Sequence, residues 1–250
     1  MKRIGALALL ISLMVLAAAE RQGALALGVP AKLAGLTRNA AAPYAPVINP
    51  ANFVVGVDNP YLPLKPGTTF VYEGKTATGL EHTEAKVSSE TKLILGVKCV
   101  TVVDTVKVNG KLSEATLDWY AQDKQGNVWY FGEDTKEYKN GKVISTKGSW
   151  LAGVNGAQPG YVMKANPALN ETYRQEYLKG EAEDMATVLS LTEAAAIPSG
   201  SYKNLVLTKE WSALDKPPVF ERKYYAKGVG LVMVKESEGF QLSLTEVRHP

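Results

Sequence analysis

The chain has 250 residues, is 46% hydrophobic and 21% charged, and carries a formal net charge of +3. Those values fit a soluble globular chain with a sizeable core, one large domain or two small ones. The lysines are scattered rather than clustered, which argues against a nucleic-acid partner, and the single cysteine excludes an intramolecular disulfide.

The N-terminus has the three parts of a secretory signal. Met1-Lys2-Arg3 is a positive start, Ile4 to Leu16 is an apolar run, and Ala17-Ala18-Ala19 offers a small-residue cleavage site before Glu20. Removing 1–19 takes away Lys2 and Arg3 and leaves 3 − 2 = +1 on the mature chain. The apolar run is barely long enough to span a bilayer, so no stable membrane anchor is expected after cleavage. No cysteine follows the run to take a lipid, and paired arginines are absent. The expected location is the periplasm or the medium. Residues 20–51, with Pro30, Pro43, Pro46 and Pro50, read as a loosely packed leader, with a short helical turn near Ala31 to Leu36.

From residue 52 to 248 the punctuation is that of one β-rich domain. Pro66-Gly67 precedes the β-branched and aromatic run Thr68 to Tyr72. Cys99 lies in a further β-branched run, Val97 to Val103, where a free cysteine reads as a small buried hydrophobe. Asn109-Gly110 joins Thr101–Val108 to Lys111–Asp118, a dipeptide suited to a two-residue type I′ hairpin. The cluster Asp123 to Asn127 turns Leu117–Gln122 into Val128–Gly132, and Asn140-Gly141 makes another hairpin. Residues 148–170, rich in glycine, proline and asparagine, read as a long excursion able to act as a lid. Strands resume at Thr172–Leu178, Asp184–Thr192, Tyr202–Glu210, Val219–Ala226, Val229–Lys235 and Phe240–Val247. Consecutive hairpins without long amphipathic helices predict a mainly β fold: a single antiparallel meander curling into a half-barrel or barrel.

Three groups of residues invite a chemical reading. Trp119, Tyr120, Trp129 and Tyr130 lie on the two arms of one hairpin, and neighbours along a strand point to opposite faces. Cross-strand pairing that stabilises the sheet is one reading. The other is a concavity for a hydrophobic or amphipathic small molecule, lined by Trp119, Trp129, Tyr130, Tyr173 and Tyr177. His82 and Glu84 share a strand face and could contribute to a metal site, as could Glu181, Glu183 and Asp184 beside the turn at Lys179-Gly180; solvated polar faces are the alternative. The carboxylates of Glu176, Glu181, Glu183 and Asp184 also admit acid–base hydrolysis. No nucleophile elbow accompanies the two histidines, and Gly228-Val229-Gly230 opens a strand rather than a helix, so no cofactor is expected.

Asn59-Pro60-Tyr61-Leu62-Pro63-Leu64-Lys65-Pro66-Gly67-Thr68-Thr69-Phe70-Val71-Tyr72-Glu73-Gly74 resembles the opening of a widespread group of exported bacterial β-rich proteins without assigned activity. Asp118 to Asp123, Gly126 to Glu133, Tyr173 to Tyr177, Gly180 to Asp184 and Tyr224 to Val232 are similar to later segments of that group. The likeness spans roughly residues 52–247 and implies no active site. The segments from Ser199 to Asn204 and Tyr225 to Gly230 more weakly resemble curved-sheet envelope proteins of the lipoprotein-carrier type, which hold acyl chains in the sheet's concavity. Three functional expectations follow: an envelope or secreted binding protein, a carboxylate-based and possibly metal-assisted hydrolase, or an envelope assembly factor that pairs a strand edge with another chain.

Overall fold

The computed structural model describes residues 44–76, 78–215, 219–236 and 239–250. The expected signal peptide and the leader up to residue 43 lie outside the described residues. The described residues begin at Tyr44, and the chain makes a 3₁₀ turn at Pro50–Asn52 capped by the Asn49 side chain.

Among the described residues, fifteen strands follow in antiparallel pairing. The first meander comprises β1 (Thr69–Thr76), β2 (Gly79–Ile94), β3 (Val97–Val108), β4 (Lys111–Gln122) and β5 (Val128–Lys139). Three short strands come next, β6 (Lys142–Ser145), β7 (Trp150–Leu151) and β8 (Gln158–Met163), then β9 (Thr172–Arg174) and β10 (Glu176–Tyr177). The second meander comprises β11 (Asp184–Ile197), β12 (Gly200–Ser212), β13 (Phe220–Ala226), β14 (Gly230–Glu236) and β15 (Gln241–Arg248). The expected β meander is observed. Both Asn-Gly hairpins adopt the left-handed pair of φ angles that a type I′ turn requires, 50° and 74° at Asn109-Gly110 and 53° and 74° at Asn140-Gly141.

The two meanders join because β1 pairs with β15. The other ends meet at one segment: β9 pairs with β11 and β10 pairs with β8, with a bend at Gln175 between them. The Gln175 amide donates to the Asp184 carbonyl at 2.8 Å, so the segment 172–177 bonds both neighbours and draws the sheet into a barrel. Gly160 is required at this seam, since a Cβ there would lie 2.4 Å from the Arg174 carbonyl oxygen.

This closure corrects the reading of 148–170 as a lid. β8 is a wall strand paired with β5 and β10, and Trp150 pairs against Glu133. Glycine and proline in Gln158–Met163 mask its strand character in sequence, yet glycine is what the close seam demands.

One mouth of the barrel is covered by the N-terminal strap. Phe53 bridges to Asp123, the Asn59 amide group donates to the Gly126 and Lys164 carbonyls, and Gly228 donates to the Pro60 carbonyl. These contacts carry the strap from the β4–β5 turn to the β13–β14 turn. The strap's own Val57, Leu62 and Leu64 are buried in the core. The outer part of the β11–β12 hairpin reaches the far wall, where the Ser199 amide donates to the Leu244 carbonyl.

Candidate functional site

Strand register decides which side chains enter the barrel. On β4, Glu114, Thr116, Asp118 and Tyr120 share one face, opposite Val106, Asp104, Val102 and Val100 of β3. The same face continues on β2 as Glu81, Thr83, Ala85 and Val87, and on β1 as Phe70 and Tyr72. From the other meander come Asp184, Ala186 and Val188 of β11, Val206, Thr208 and Glu210 of β12, and Glu221, Lys223 and Tyr225 of β13. All of these are buried. Toward the strapped mouth the lining is apolar, with Val87, Val100, Val128, Val188 and Val206. Beyond it the lining is dominated by acids.

Nine buried carboxyl groups belong to this lining among the described residues: Glu81, Asp104, Glu114, Asp118, Glu133, Glu176, Asp184, Glu210 and Glu221. Lys223 is the buried cation among them, 2.9 Å from Glu210 and 3.3 Å from Glu221. Burial works against its charge, but the two glutamates outweigh burial and hold the ammonium above its ordinary range. Glu210 is saturated: Oε1 accepts from Thr208 (2.8 Å) and Tyr225 (3.2 Å), and Oε2 from Gln175 (3.1 Å) and Lys223.

Burial dominates the carboxyls of Glu81, Glu114, Asp118, Glu133, Glu176 and Asp184. Burial pushes Glu81 up to about 7, with the charge of Glu221 adding to it. Burial likewise pushes Glu114 up to about 8, against a hydrogen bond from Thr116. Asp118 rises to about 7 through burial, opposed by the Tyr130 and Tyr120 hydroxyls. Asp184 also rises to about 7 through burial, opposed by Ser212 and Lys223. Glu133 and Glu176 are raised well above the carboxylate range by burial and by neighbouring acids. Carboxyls in this range hold and release protons near neutrality, which is the basic requirement for acid–base work or for charge-dependent binding.

The five expected aromatic ligand contacts do not form one surface. Tyr130 and Tyr173 face the interior with Tyr72, Tyr120 and Tyr225, and Tyr120 stacks on Tyr130 at 5.0 Å. Trp119 and Trp129 point to the other face. The Lys92 ammonium lies 3.4 Å over the Trp119 ring, and Trp129 packs against Tyr161 and Phe53 while its indole donates to Asp123 at 2.9 Å. Tyr177 meets Tyr44 and the Arg174 guanidinium. The strap covers what a flat reading of the hairpin leaves open.

The five expected metal ligands fall in separate places. His82 and Glu84 share the outer face of β2, where His82 also meets Glu73 at 3.3 Å and Glu84 pairs with Arg248 at 2.8 Å. Glu181 is exposed and Glu183 accepts from the Gly180 amide on the β10–β11 turn, while Asp184 enters the barrel. Among the described residues no group of three or more His, Cys, Asp or Glu side chains is arranged to hold a metal ion. Of the acids considered for hydrolysis, Glu176 and Asp184 come together inside and influence one another electrostatically, whereas Glu181 and Glu183 stay on the outer turn.

The acid lining itself was not anticipated from sequence. Its signal is the alternation on β4, where Glu114, Thr116, Asp118 and Tyr120 interleave with Ala115, Leu117, Trp119 and Ala121. By the usual rule the polar set faces water, and here it faces the interior.

No family model matches the chain, and no curated protein matches it. Two solved structures are similar, each at 14% identity over 75% of this chain and 98% of the other. One, from Bacteroides fragilis, is provisionally described as an exported protein with a YmcC-like fold, at a TM-score of 0.45. The other, from Parabacteroides distasonis, is provisionally described as a lipoprotein, at a TM-score of 0.41. The barrel described above rests on the chain's own strand pairing.

Proposed function

We propose that this chain is an exported binding protein that holds an amphipathic small molecule inside the barrel. The observation that carries the reading is the division of the interior along its axis, with valines and the rings of Tyr120, Tyr130 and Tyr225 beneath the strap and buried acids beyond them. An apolar tail fits the first zone through dispersion and area burial, and a polar head fits the second through hydrogen bonds. Export is supported by the signal-type N-terminus, Met1 to Ala19. Trp129 supports the strap through Phe53, and Trp119 lies under the Lys92 ammonium on the outer face, so neither is assigned to the ligand.

Native mass spectrometry of the protein purified from its own cell envelope tests this, compared with the denatured mass. A non-covalent adduct that is extracted into organic solvent is the expected result. A clean apo mass, together with no retention of any added alkyl compound, overturns it.

A further inference from the structure

We propose that the acid zone around Asp118, Glu133, Glu176 and Asp184 takes an organic ammonium group, so that the barrel's ligand is an alkyl amine. This rests on the binding reading above and names its ligand class.

The first support is the balance of donors and acceptors. Asp118 and Glu133 sit directly opposite one another on β4 and β5, both buried. Like charges in that position destabilise a sheet unless a proton or a cation intervenes. Among the described residues no lysine or arginine lies within ion-pair distance of Asp118, Glu133, Glu176 or Asp184; Lys223 is engaged by Glu210 and Glu221 and reaches Asp118 and Asp184 only as a more distant charge.

The second support is an orphaned acceptor beside the acids. Gln175 is fully buried and its Nε2 donates to Glu210, which fixes its Oε1 as the opposite, acceptor end. That Oε1 has no hydrogen-bond partner. The Gln175 side chain turns to Glu210, the partner of Lys223, and the Lys223 charge acts on Asp118 and Asp184, so the orphaned acceptor borders the same zone. A buried acceptor without a donor is costly, and a ligand N–H relieves it.

The chemistry favours an ammonium over a metal ion. A divalent cation wants several converging oxygens at short range, and no such group of acids is present among the described residues. An ammonium donates separate hydrogen bonds to oxygens set further apart. The rings of Tyr120 and Tyr130, with Trp150 edge-on to Tyr130 at 5.3 Å, add faces that attract a cation. Burial raises Asp118 and Asp184 to about 7, so an arriving ammonium favours their charged forms and displaces protons.

The test compares three probes with the same tail, octylamine, octan-1-ol and octanoate, by isothermal titration calorimetry with the purified protein. Octylamine is expected to bind about tenfold or more tightly than the alcohol, with octanoate weakest. Repeating the titration in buffers of different ionisation enthalpy is expected to show net proton release. Asp118→Asn with Glu133→Gln is expected to abolish the amine preference while keeping the β-sheet circular dichroism spectrum. Equal binding of all three probes overturns the ammonium assignment and leaves the binding reading standing. Binding of none overturns both. Magnesium or calcium binding that competes with octylamine and is lost in the double variant replaces the amine with a metal ion and overturns the assignment.

Discussion

The Tyr130 hydroxyl donates to Asp118 Oδ1 at 2.6 Å, between neighbouring strands and out of contact with water. This bond ties the aromatic stack to the acid zone, because Tyr130 also stacks on Tyr120. Tyr130→Phe removes the donor and leaves a buried acceptor. The expected loss is about 1–3 kcal/mol of stability, read from urea unfolding. Asp118→Asn in the same background is expected to recover part of it, since a neutral amide is cheaper to bury than a carboxylate. An unchanged urea midpoint in Tyr130→Phe would show the bond to be unimportant.

The barrel is expected to be more stable in mild acid than in mild alkali. The folded-state pKa values of Glu81, Asp118 and Asp184 are raised to about 7, and that of Glu114 to about 8, in each case chiefly by burial. The folded chain therefore binds more protons than the unfolded chain between the ordinary carboxylate range and these values. The stabilisation is complete below that range and is lost as pH rises through about 7 to 8. Urea midpoints at pH values on either side of that window measure it, with a difference on the order of a few kcal/mol. Glu114→Gln is expected to flatten the profile, and a profile that rises with pH would contradict the buried acids as drawn.

Lys223 neutralises two glutamates in the interior. Lys223→Met leaves Glu210 and Glu221 buried without a counter-ion, and the expected loss is about 3–5 kcal/mol. Combining it with Glu210→Gln and Glu221→Gln is expected to restore most of that stability. Thermal unfolding of the wild type, Lys223→Met and the triple variant decides whether the penalty is electrostatic or a matter of volume.

The strap is anchored by Asn59, whose side chain donates to Gly126 and Lys164 and accepts from the Tyr61 amide at 2.8 Å. Asn59→Ala is expected to loosen residues 53–64 before the barrel wall. Hydrogen exchange should rise first at Leu62 and Leu64, whose amides bond within the strap. Exchange that rises uniformly across β1 to β5 would show the strap and barrel to be one cooperative unit.

Cys99 is fully buried, and burial pushes its thiol up to about 12. It is expected to resist Ellman's reagent in the folded protein and to react at once in urea. Rapid reaction under native conditions would mean that the strand run Val97 to Val103 opens readily.

Much of the barrel was legible because its signals are local. Asn109-Gly110 and Asn140-Gly141 set their own turn geometry, and the β-branched runs of β1 and β3 set extended backbone. Alternation also fixed which residues share a face, so the grouping of Glu114, Thr116, Asp118 and Tyr120 was determined by the sequence alone. What the sequence by itself did not determine was where that face points. A polar face reads as wet, and only closure of the sheet turns it inward. Closure depends on Gly160 admitting the Gln175 backbone and on one short segment, 172–177, bonding both β8 and β11. The positions of Trp119 and Trp129 were undecided for the same reason, since the strap that carries Phe53 to Trp129 comes from distant sequence. Local propensity writes strands and turns, whereas inside and outside are properties of the closed surface, and these were settled by tertiary contacts between residues more than a hundred positions apart, such as Tyr44 with Pro159.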